Sequence, residues 1–225
     1  MIEIQHLHFS YANTAVINDV HINLHMGYTH GLVGLNGSGK TTLLKLIYGL
    51  LKPDSGNIYV NGSKIKKNDV SLLETQNYFY SYITAKEYLD LIKKSPDTDE
   101  WASLLNIPLH EFVDTFSTGM KKKLALLGII LQKKPIWILD EPYNGLDTES
   151  VKAVEHIIKQ FNAKGKTIII TSHIIDTLIG ICQYIHWLNA GTIKKSYSQD
   201  LYKTMNEEMF QTLEATLHDK ISKLI

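Results

Sequence analysis

Residues 34–42 read Gly-Leu-Asn-Gly-Ser-Gly-Lys-Thr-Thr, and the first eight of them fit the pattern G-x-x-x-x-G-K-[ST] of a phosphate-binding loop. Gly37 and Gly39 permit backbone angles that are closed to other residues, so that consecutive N–H groups can turn inward around phosphate oxygens. In this pattern Lys40 holds the terminal phosphates and Thr41 a magnesium ion. The stretch therefore predicts a site for a phosphate-bearing ligand.

The segments on either side of the loop favour the same interpretation. Residues 30–33 form an apolar stretch typical of a short buried strand, and residues 43–47 have the pattern of a helix. A phosphate at the start of that helix is also favoured by the helix dipole. We therefore predict a nucleotide site built from Gly34, Leu35, Asn36, Gly37, Ser38, Gly39, Lys40, Thr41 and Thr42.

The composition is typical of a globular chain, and its formal net charge is zero. Its 225 residues are 44% hydrophobic, enough for a substantial core, and 23 Lys+Arg balance 23 Asp+Glu. No overall basic field attracts nucleic acid, so we expect no nucleic-acid partner. Every one of the cations is lysine, and the chain therefore cannot supply an arginine finger to itself or to an identical copy.

Cysteine content and apolar runs limit the location of the protein. The single cysteine, Cys182, excludes an internal disulfide, and a reducing cytoplasm is the default expectation. The longest apolar stretch, 124–131, is far shorter than the roughly 20 residues of a membrane-spanning helix. Any membrane connection is therefore expected to go through another chain.

Hydrophobic periodicity predicts a mixed α/β chain. Alternating apolar residues before the loop predict two antiparallel strands, and Asn61-Gly62 signals a hairpin. From about Thr84 to Leu131 the pattern is helical, beginning with a capping box at residues 84–87. Beyond it, apolar strands alternate with helices, as in a parallel sheet covered on both faces. The predicted strands there are 136–139 and 167–171, the predicted helices are 147–161 and 174–182, and a hairpin at 184–195 closes the pattern.

The expected fold class is α/β: a P-loop NTPase core with a mixed sheet, an N-terminal antiparallel β subdomain and an inserted α-helical subdomain. We predict one domain over residues 1–225. Its core and β subdomain occupy 1–76 and 132–197, the helical subdomain about 77–131, and a helical tail 198–225.

Two further strand ends carry chemically useful side chains. Asp140 and Glu141 follow the strand 136–139, which we expect to lie beside the strand that enters the loop, and ligands of such sheets bind at the carboxyl ends of strands. Asp140 can hold magnesium there, and Glu141 can polarise a water against the terminal phosphate. His173 follows the strand 167–171 and can reach the same crevice, although a histidine at a helix start is the alternative.

The segment Phe116-Ser117-Thr118-Gly119-Met120 resembles the signature loop Leu-Ser-Gly-Gly-Gln of ABC transporter nucleotide-binding subunits. The motifs resemble that family from the first strand to about Lys195. In the family this loop closes over ATP bound to the opposite subunit, so the resemblance implies that Ser117, Thr118 and Gly119 contact ATP in trans. With Thr118 and Met120 the segment resembles the Ser-Thr-Gly-Met-Lys form of drug and peptide-antibiotic exporter subunits, including those of the bacitracin-resistance kind.

The resemblance also implies roles for single residues. Tyr11 matches the aromatic that stacks on adenine, Glu141 the catalytic base, His173 the switch histidine, and Asp147 belongs to the loop that passes between two subunits. The magnesium ligands are expected to be Thr41, Asp140 and the residue of the glutamine loop. For that last position Glu74 fits by strand position and Gln76 by residue type. Some exporter subunits of the bacitracin-resistance kind carry glutamate there, which slightly favours Glu74.

The resemblance implies an ATPase subunit that dimerises around two ATP and two magnesium ions, as a homodimer or a heterodimer. It would drive a separate membrane-spanning permease from the cytoplasmic side of the cell membrane, in an exporter of drug, peptide or lipid-like cargo. An aromatic cluster, Tyr78, Phe79, Tyr80 and Tyr82, either belongs to the helical core or receives a helix of the permease. The competing classes are a soluble ATPase acting on ribosomes or DNA and a small-molecule kinase.

Overall fold

The computed structural model describes residues 1–173 and 175–222. The predicted helix at 174–182 and the predicted tail at 198–225 therefore reach outside the described residues, at Ile174 and at 223–225. The strands are β1 (Ile2–Tyr11), β2 (Thr14–Leu24), β3 (Thr29–Val33), β4 (Ser55–Val60), β5 (Ser63–Lys64), β6 (Val70–Leu73), β7 (Ile136–Leu139), β8 (Thr167–Thr171), β9 (Tyr184–Asn189) and β10 (Thr192–Ser198). The helices are α1 (Lys40–Tyr48), α2 (Ala85–Lys93), α3 (Thr98–Leu104), α4 (Thr118–Leu131), α5 (Thr148–Ala163), α6 (Ile175–Ile179) and α7 (Tyr202–Ser222).

An antiparallel sheet in the order β2-β1-β4-β5 forms the N-terminal part of the fold. In β1, Ile2, Ile4 and Leu7 are buried and pair with apolar residues of β2. The residues between them are more exposed, so one face of the sheet packs inward and the other meets solvent. This arrangement confirms the predicted antiparallel β unit.

The central sheet has the order β10-β9-β3-β8-β7-β6, with parallel pairing from β9 to β6 and an antiparallel β9–β10 hairpin. Along β7, Trp137 and Leu139 enter one core cluster, whereas Ile136 and Ile138 enter the other. The strand is therefore buried on both faces, as its unbroken apolar run predicted. The predicted neighbour of β3 was wrong, because β8 lies between β3 and β7. The crevice is the same, since all these strands end at one edge of the sheet.

The helices between β6 and β7 pack on one side of the central sheet. The capping box is present at the start of α2, where the Thr84 and Glu87 side chains bond reciprocally to the backbone. Helix α4 approaches α2 closely at Gly128, where an added Cβ would lie 2.7 Å from Ile92 Cδ1. Helix α4 begins directly after Ser117, whose hydroxyl accepts a hydrogen bond from the N–H of Met120 at 3.2 Å. The predicted signature loop thus lies at the N-terminus of a long, well-buried helix.

Two buried histidines join strands β3 and β9. His30 Nδ1 lies 3.1 Å from His186 Nε2, and the rings stack at a centroid distance of 5.3 Å. The chain of bonds continues from His30 Nε2 to the carbonyl of His25 and from His186 Nδ1 to the hydroxyl of Ser196. One proton on each ring satisfies this chain. Burial lowers the pKa of His30 to about 4 and that of His186 to about 3.

We predict that the free energy of unfolding falls as the pH drops from 6.5 towards 4. The unfolded histidines bind protons near pH 6.5 whereas the folded ones do not, so the stability that the neutral rings provide is full above pH 6.5 and is lost below it. Each ring contributes a slope of at most about 1.4 kcal/mol per pH unit. Urea unfolding at pH 7.5 and 5.5 measures this loss, which should be smaller in His186→Gln. If His186→Gln lost as much unfolding free energy between these two pH values as the parent protein, the buried histidines would not be the cause.

Candidate nucleotide site

A cleft of about 640 Å³ lies at the carboxyl edge of the central sheet. Among the described residues its lining comprises Val16, Asn36, Gly37, Gly39, Lys40, Thr41, Thr42, Thr75, Asp140, Glu141, Asn144 and His173. The fold thus brings the predicted phosphate loop, the acidic pair and the predicted switch histidine into one place. Gly34, Leu35 and Ser38 belong to the same loop but do not line this cleft.

The loop has the backbone that a phosphate cradle requires. Gly37 and Gly39 have φ values of 79° and 103°, in the left-handed region. A Cβ at Gly34 would lie 2.1 Å from the carbonyl oxygen of Leu188, so only glycine fits where the loop crosses β9. Helix α1 starts at Lys40 and points its N-terminus at the loop.

Lys40 folds back over the loop that precedes it. Its Nζ donates to the carbonyl oxygens of Gly34 at 2.7 Å and Leu35 at 3.1 Å. Burial lowers the pKa of Lys40 from its ordinary value, and the nearby carboxylates of Glu141 and Asp140 oppose that shift. The ammonium group therefore lies between the loop and two acidic side chains, where it can exchange carbonyl partners for phosphate oxygens.

Three threonine hydroxyls converge on the buried carboxylate of Asp140. Thr41 and Thr75 each donate to Oδ2 at 2.8 Å, and Thr171 donates to Oδ1 at 2.6 Å. Magnesium prefers oxygen ligands and is usually held by one or two carboxylates together with substrate phosphates. The adjacent hydroxyl of Thr41 and carboxylate of Asp140 fit this chemistry. Sequence reasoning missed Thr75, whose only signal was its position two residues after the end of β6.

The two residues proposed for the glutamine loop flank Thr75, and neither of them lines the cleft in the described structure. The carboxylate of Glu74 is directed to helix α1, where its Oε1 lies 3.1 Å from Lys45 Nζ. This ion pair is about one-third exposed on both sides, so it is worth at most about 1 kcal/mol and is easily broken. A magnesium-directed role for Glu74 or Gln76 stays a prediction.

Glu141 lines the cleft and contacts His173. The Glu141 Oε2 atom is 2.8 Å from His173 Nδ1, and it also accepts the backbone N–H of His173 at 3.3 Å. Glu141 has a φ of 48°, which is uncommon for a residue other than glycine, and its N–H donates to Thr171 Oγ1. The carboxylate is 14% exposed. The strand end thus aims one carboxylate into the cleft and fixes it with an imidazole.

The predicted signature residues lie elsewhere in this chain. Ser117, Thr118 and Gly119 are absent from the described cleft lining and form the partly exposed start of α4. Gly119 packs so closely on the 144–147 loop that an added Cβ would lie 2.6 Å from the carbonyl oxygen of Gly145. The loop itself ends at Asp147, whose carboxylate caps α5 by accepting the N–H of Ser150 at 2.8 Å.

Tyr11, the predicted adenine-stacking residue, lies at the end of β1 and does not line the described cleft. Its side chain is 49% exposed and contacts Phe9 edge to face, at a ring centroid distance of 4.8 Å. An exposed ring at a strand end is available for stacking. The adenine assignment stays a prediction.

Comparison with known proteins agrees with these features. The family model described as ABC transporter matches residues 17–144. The chain is 30% identical to the lantibiotic transport ATP-binding protein SrtF of Streptococcus pyogenes over 93% of this chain and 97% of the relative. It is also 30% identical to the bacitracin transport ATP-binding protein BcrA of Bacillus licheniformis, covering 89% of this chain and 71% of the relative.

Solved structures share the fold. The structure of an ATP-binding subunit of an ABC transporter superposes with a TM-score of 0.84 at 27% identity, over 95% of this chain and 99% of the other. The dimeric structure of the bacterial ABC transporter cassette MJ0796 has a TM-score of 0.80 at 20% identity, over 88% and 99%. In the part of the chain that the structure describes, no helix is long and apolar enough to span a membrane. The chain belongs to the ABC transporter family and is one of its ATP-binding, ATP-hydrolysing subunits.

Proposed function

We propose that this subunit dimerises around two Mg-ATP and drives a separate membrane-spanning permease. The observation that carries the proposal is the separation of two motifs. The cleft holds the phosphate loop, Asp140 and Glu141, whereas Ser117 to Gly119 lie partly exposed outside it. A signature loop that does not reach its own cleft can complete the cleft of a second subunit, which is a copy of this chain or a relative.

Within one cleft, the loop N–H groups and Lys40 bind the phosphates. Thr41 and Asp140 would hold magnesium, which would supply positive charge to the phosphate oxygens. Glu141 positions a water and accepts its proton as the water attacks the terminal phosphate. The imidazole of His173 holds Glu141 and faces the same phosphate, and Tyr11 stacks on the adenine.

The chain has no arginine, so the signature loop supplies the positive electrostatic potential at the phosphates of the ATP bound by the other subunit. The α4 N-terminus offers backbone N–H groups and a helix dipole, and the Ser117 and Thr118 hydroxyls add donors. Gly119 has no side chain, so the signature loop packs directly on the 144–147 loop. ATP bound by the signature loop is thereby coupled to Asp147 at the interface. ATP then favours the closed dimer by binding it more tightly than the open one.

The permease-facing surface is proposed to include three exposed tyrosines after β6. Tyr78, Tyr80 and Tyr82 are 84%, 73% and 86% exposed, whereas Phe79 packs on Tyr88 with ring centroids 4.8 Å apart. The aromatic cluster is therefore divided between core and surface. Large exposed aromatic side chains are favoured anchors at protein interfaces.

We predict that Tyr78→Ala combined with Tyr80→Ala lowers recovery of the permease with this subunit by about tenfold or more, because loss of an aromatic anchor at an interface hot spot costs about 2 kcal/mol or more. The measurement is copurification from detergent-solubilised membranes. Tyr28→Ala, which removes an exposed tyrosine (43%) at the opposite end of the sheet, is the matched control. Unchanged recovery with the double variant would rule out this surface, and recovery with ribosomes instead of membranes would favour the soluble ATPase class.

Export of drug, peptide or lipid-like cargo, from the cytoplasmic side of the cell membrane, is the form of transport we propose. Its support is the similarity to the lantibiotic and bacitracin transport proteins and the Ser-Thr-Gly-Met-Lys segment. Identification of the copurified membrane protein tests the proposal. An importer permease in that preparation would contradict it.

A further inference from the structure

Lys122 is a buried lysine outside the residues already assigned to the site. It lies on α4, two residues beyond the signature loop, and only 4% of the residue is exposed. Its Nζ donates to the carbonyl oxygens of Thr75 at 2.7 Å and Glu74 at 3.0 Å. The neighbouring Lys121 and Lys123 are partly exposed, so the burial is particular to this position.

Burying an ammonium group costs several kcal/mol unless hydrogen bonds and nearby charges compensate. Here two carbonyl oxygens do so, and the carboxylates of Asp140 and Glu141 act in the same direction. Burial lowers the pKa of Lys122 from its ordinary value, and those two carboxylates oppose the shift. Lys122 therefore holds the backbone of residues 74–75 and also places a positive charge near the carboxylates of Asp140 and Glu141.

The segment that Lys122 holds is the one that contacts the metal side of the cleft. Thr75 donates its hydroxyl to Asp140 Oδ2 at 2.8 Å, the same oxygen that Thr41 contacts. The N–H of Asp140 donates to the carbonyl of Leu73 at 2.8 Å, so the end of β6 and Asp140 are linked by the backbone as well. A shift of residues 74–75 would move the hydroxyl that orients this carboxylate.

We propose that Lys122 is a positioning residue for magnesium: it fixes the 74–75 backbone so that the Thr75 hydroxyl orients Asp140. The inference rests on the proposed magnesium role of Asp140 and adds Lys122 and Thr75 behind it. Hydrogen-bond partners of metal ligands typically change metal affinity by about 10–100-fold when removed. The Thr75 hydroxyl is such a partner of Asp140. Lys122→Met keeps the length of the side chain and removes the donors that hold Thr75, so we expect an effect near the lower end of that range.

The test is calorimetric titration of ATP into each variant with saturating magnesium and with EDTA. In Lys122→Met the affinity gained from magnesium should fall by about tenfold or more, whereas the affinity in EDTA stays near that of the parent protein. In steady-state assays kcat should fall more than KM rises. Lys122→Gln, which restores a donor, should recover part of the magnesium effect, and it keeps the test available if Lys122→Met does not fold.

The chain offers a matched control in Lys134. Its Nζ also donates to two backbone carbonyls, those of Lys67 at 3.0 Å and Val70 at 2.9 Å, but at the opposite end of β6. Lys134→Met should lower the melting temperature without changing the magnesium effect. Equal magnesium effects in the two methionine variants would overturn the proposal.

Thr75→Val tests the route of the effect. If Lys122 acts through Thr75, the double variant should lose no more magnesium affinity than the more affected single variant. Additive losses would overturn the route. A parent protein whose ATP affinity does not depend on magnesium would instead contradict the proposed role of Asp140, so the two failures can be distinguished.

Discussion

Replacing Lys40 with alanine is expected to remove most of the affinity for ATP. The ammonium group lies over the phosphate loop, bonded to the carbonyls of Gly34 and Leu35, and the chain contains no arginine that could replace it. Hydrogen bonds to charged groups contribute about 1.5–3 kcal/mol each. Loss of this contact should weaken binding by about tenfold to more than a hundredfold.

Isothermal titration calorimetry with ATP and magnesium measures this loss directly. Lys52→Ala, which removes an exposed lysine four residues beyond the end of α1, is the control and should bind as the parent protein does. The melting temperature of Lys40→Ala should be recorded, because the variant also leaves two carbonyls without their donor. Unchanged affinity in a folded Lys40→Ala protein would contradict the assignment of the loop.

Replacing Glu141 with glutamine is expected to slow ATP hydrolysis by about 10²–10⁴-fold. The amide keeps the size of the side chain and can still contact His173, but it cannot accept a proton from water. ATP binding should remain, because the phosphate loop and Asp140 are untouched. Loss of turnover with retained binding separates this residue from Lys40.

Phosphate release under saturating ATP gives the rate, and Glu149→Gln, on the exposed first turn of α5, is the matched control. The control should hydrolyse ATP at the parent rate. A Glu141→Gln rate within a few-fold of the parent would mean that another group accepts the proton.

Local motifs made much of the fold and the cleft predictable. A phosphate loop, a strand that ends in Asp140-Glu141 and a capping box at Thr84 are each encoded by adjacent residues, so the sequence is sufficient to identify them. The structure confirms the α/β fold class that these motifs predicted. Their mutual placement at the carboxyl edge followed from the rule that ligands bind where parallel strands end.

Non-local geometry accounts for what sequence reasoning missed. Strand order is not carried by any short segment, so β8 was not expected between β3 and β7. Thr75 and Lys122 belong to no motif, and they acquire meaning only because α4 packs beside the end of β6. The His30–His186 pair likewise depends on the pairing of two strands, and its two histidines lie 156 residues apart in sequence.

The most direct test of the two-subunit site is sedimentation of Glu141→Gln with saturating ATP and magnesium. We expect a species of twice the 25.6 kDa mass of one chain, which returns to the monomer when ATP is removed or when Lys40→Ala is added to the same chain. ATP should be held at the interface, two molecules per dimer. A monomer at saturating ATP and magnesium would contradict a site shared between the phosphate loop and the signature loop of two copies of this chain.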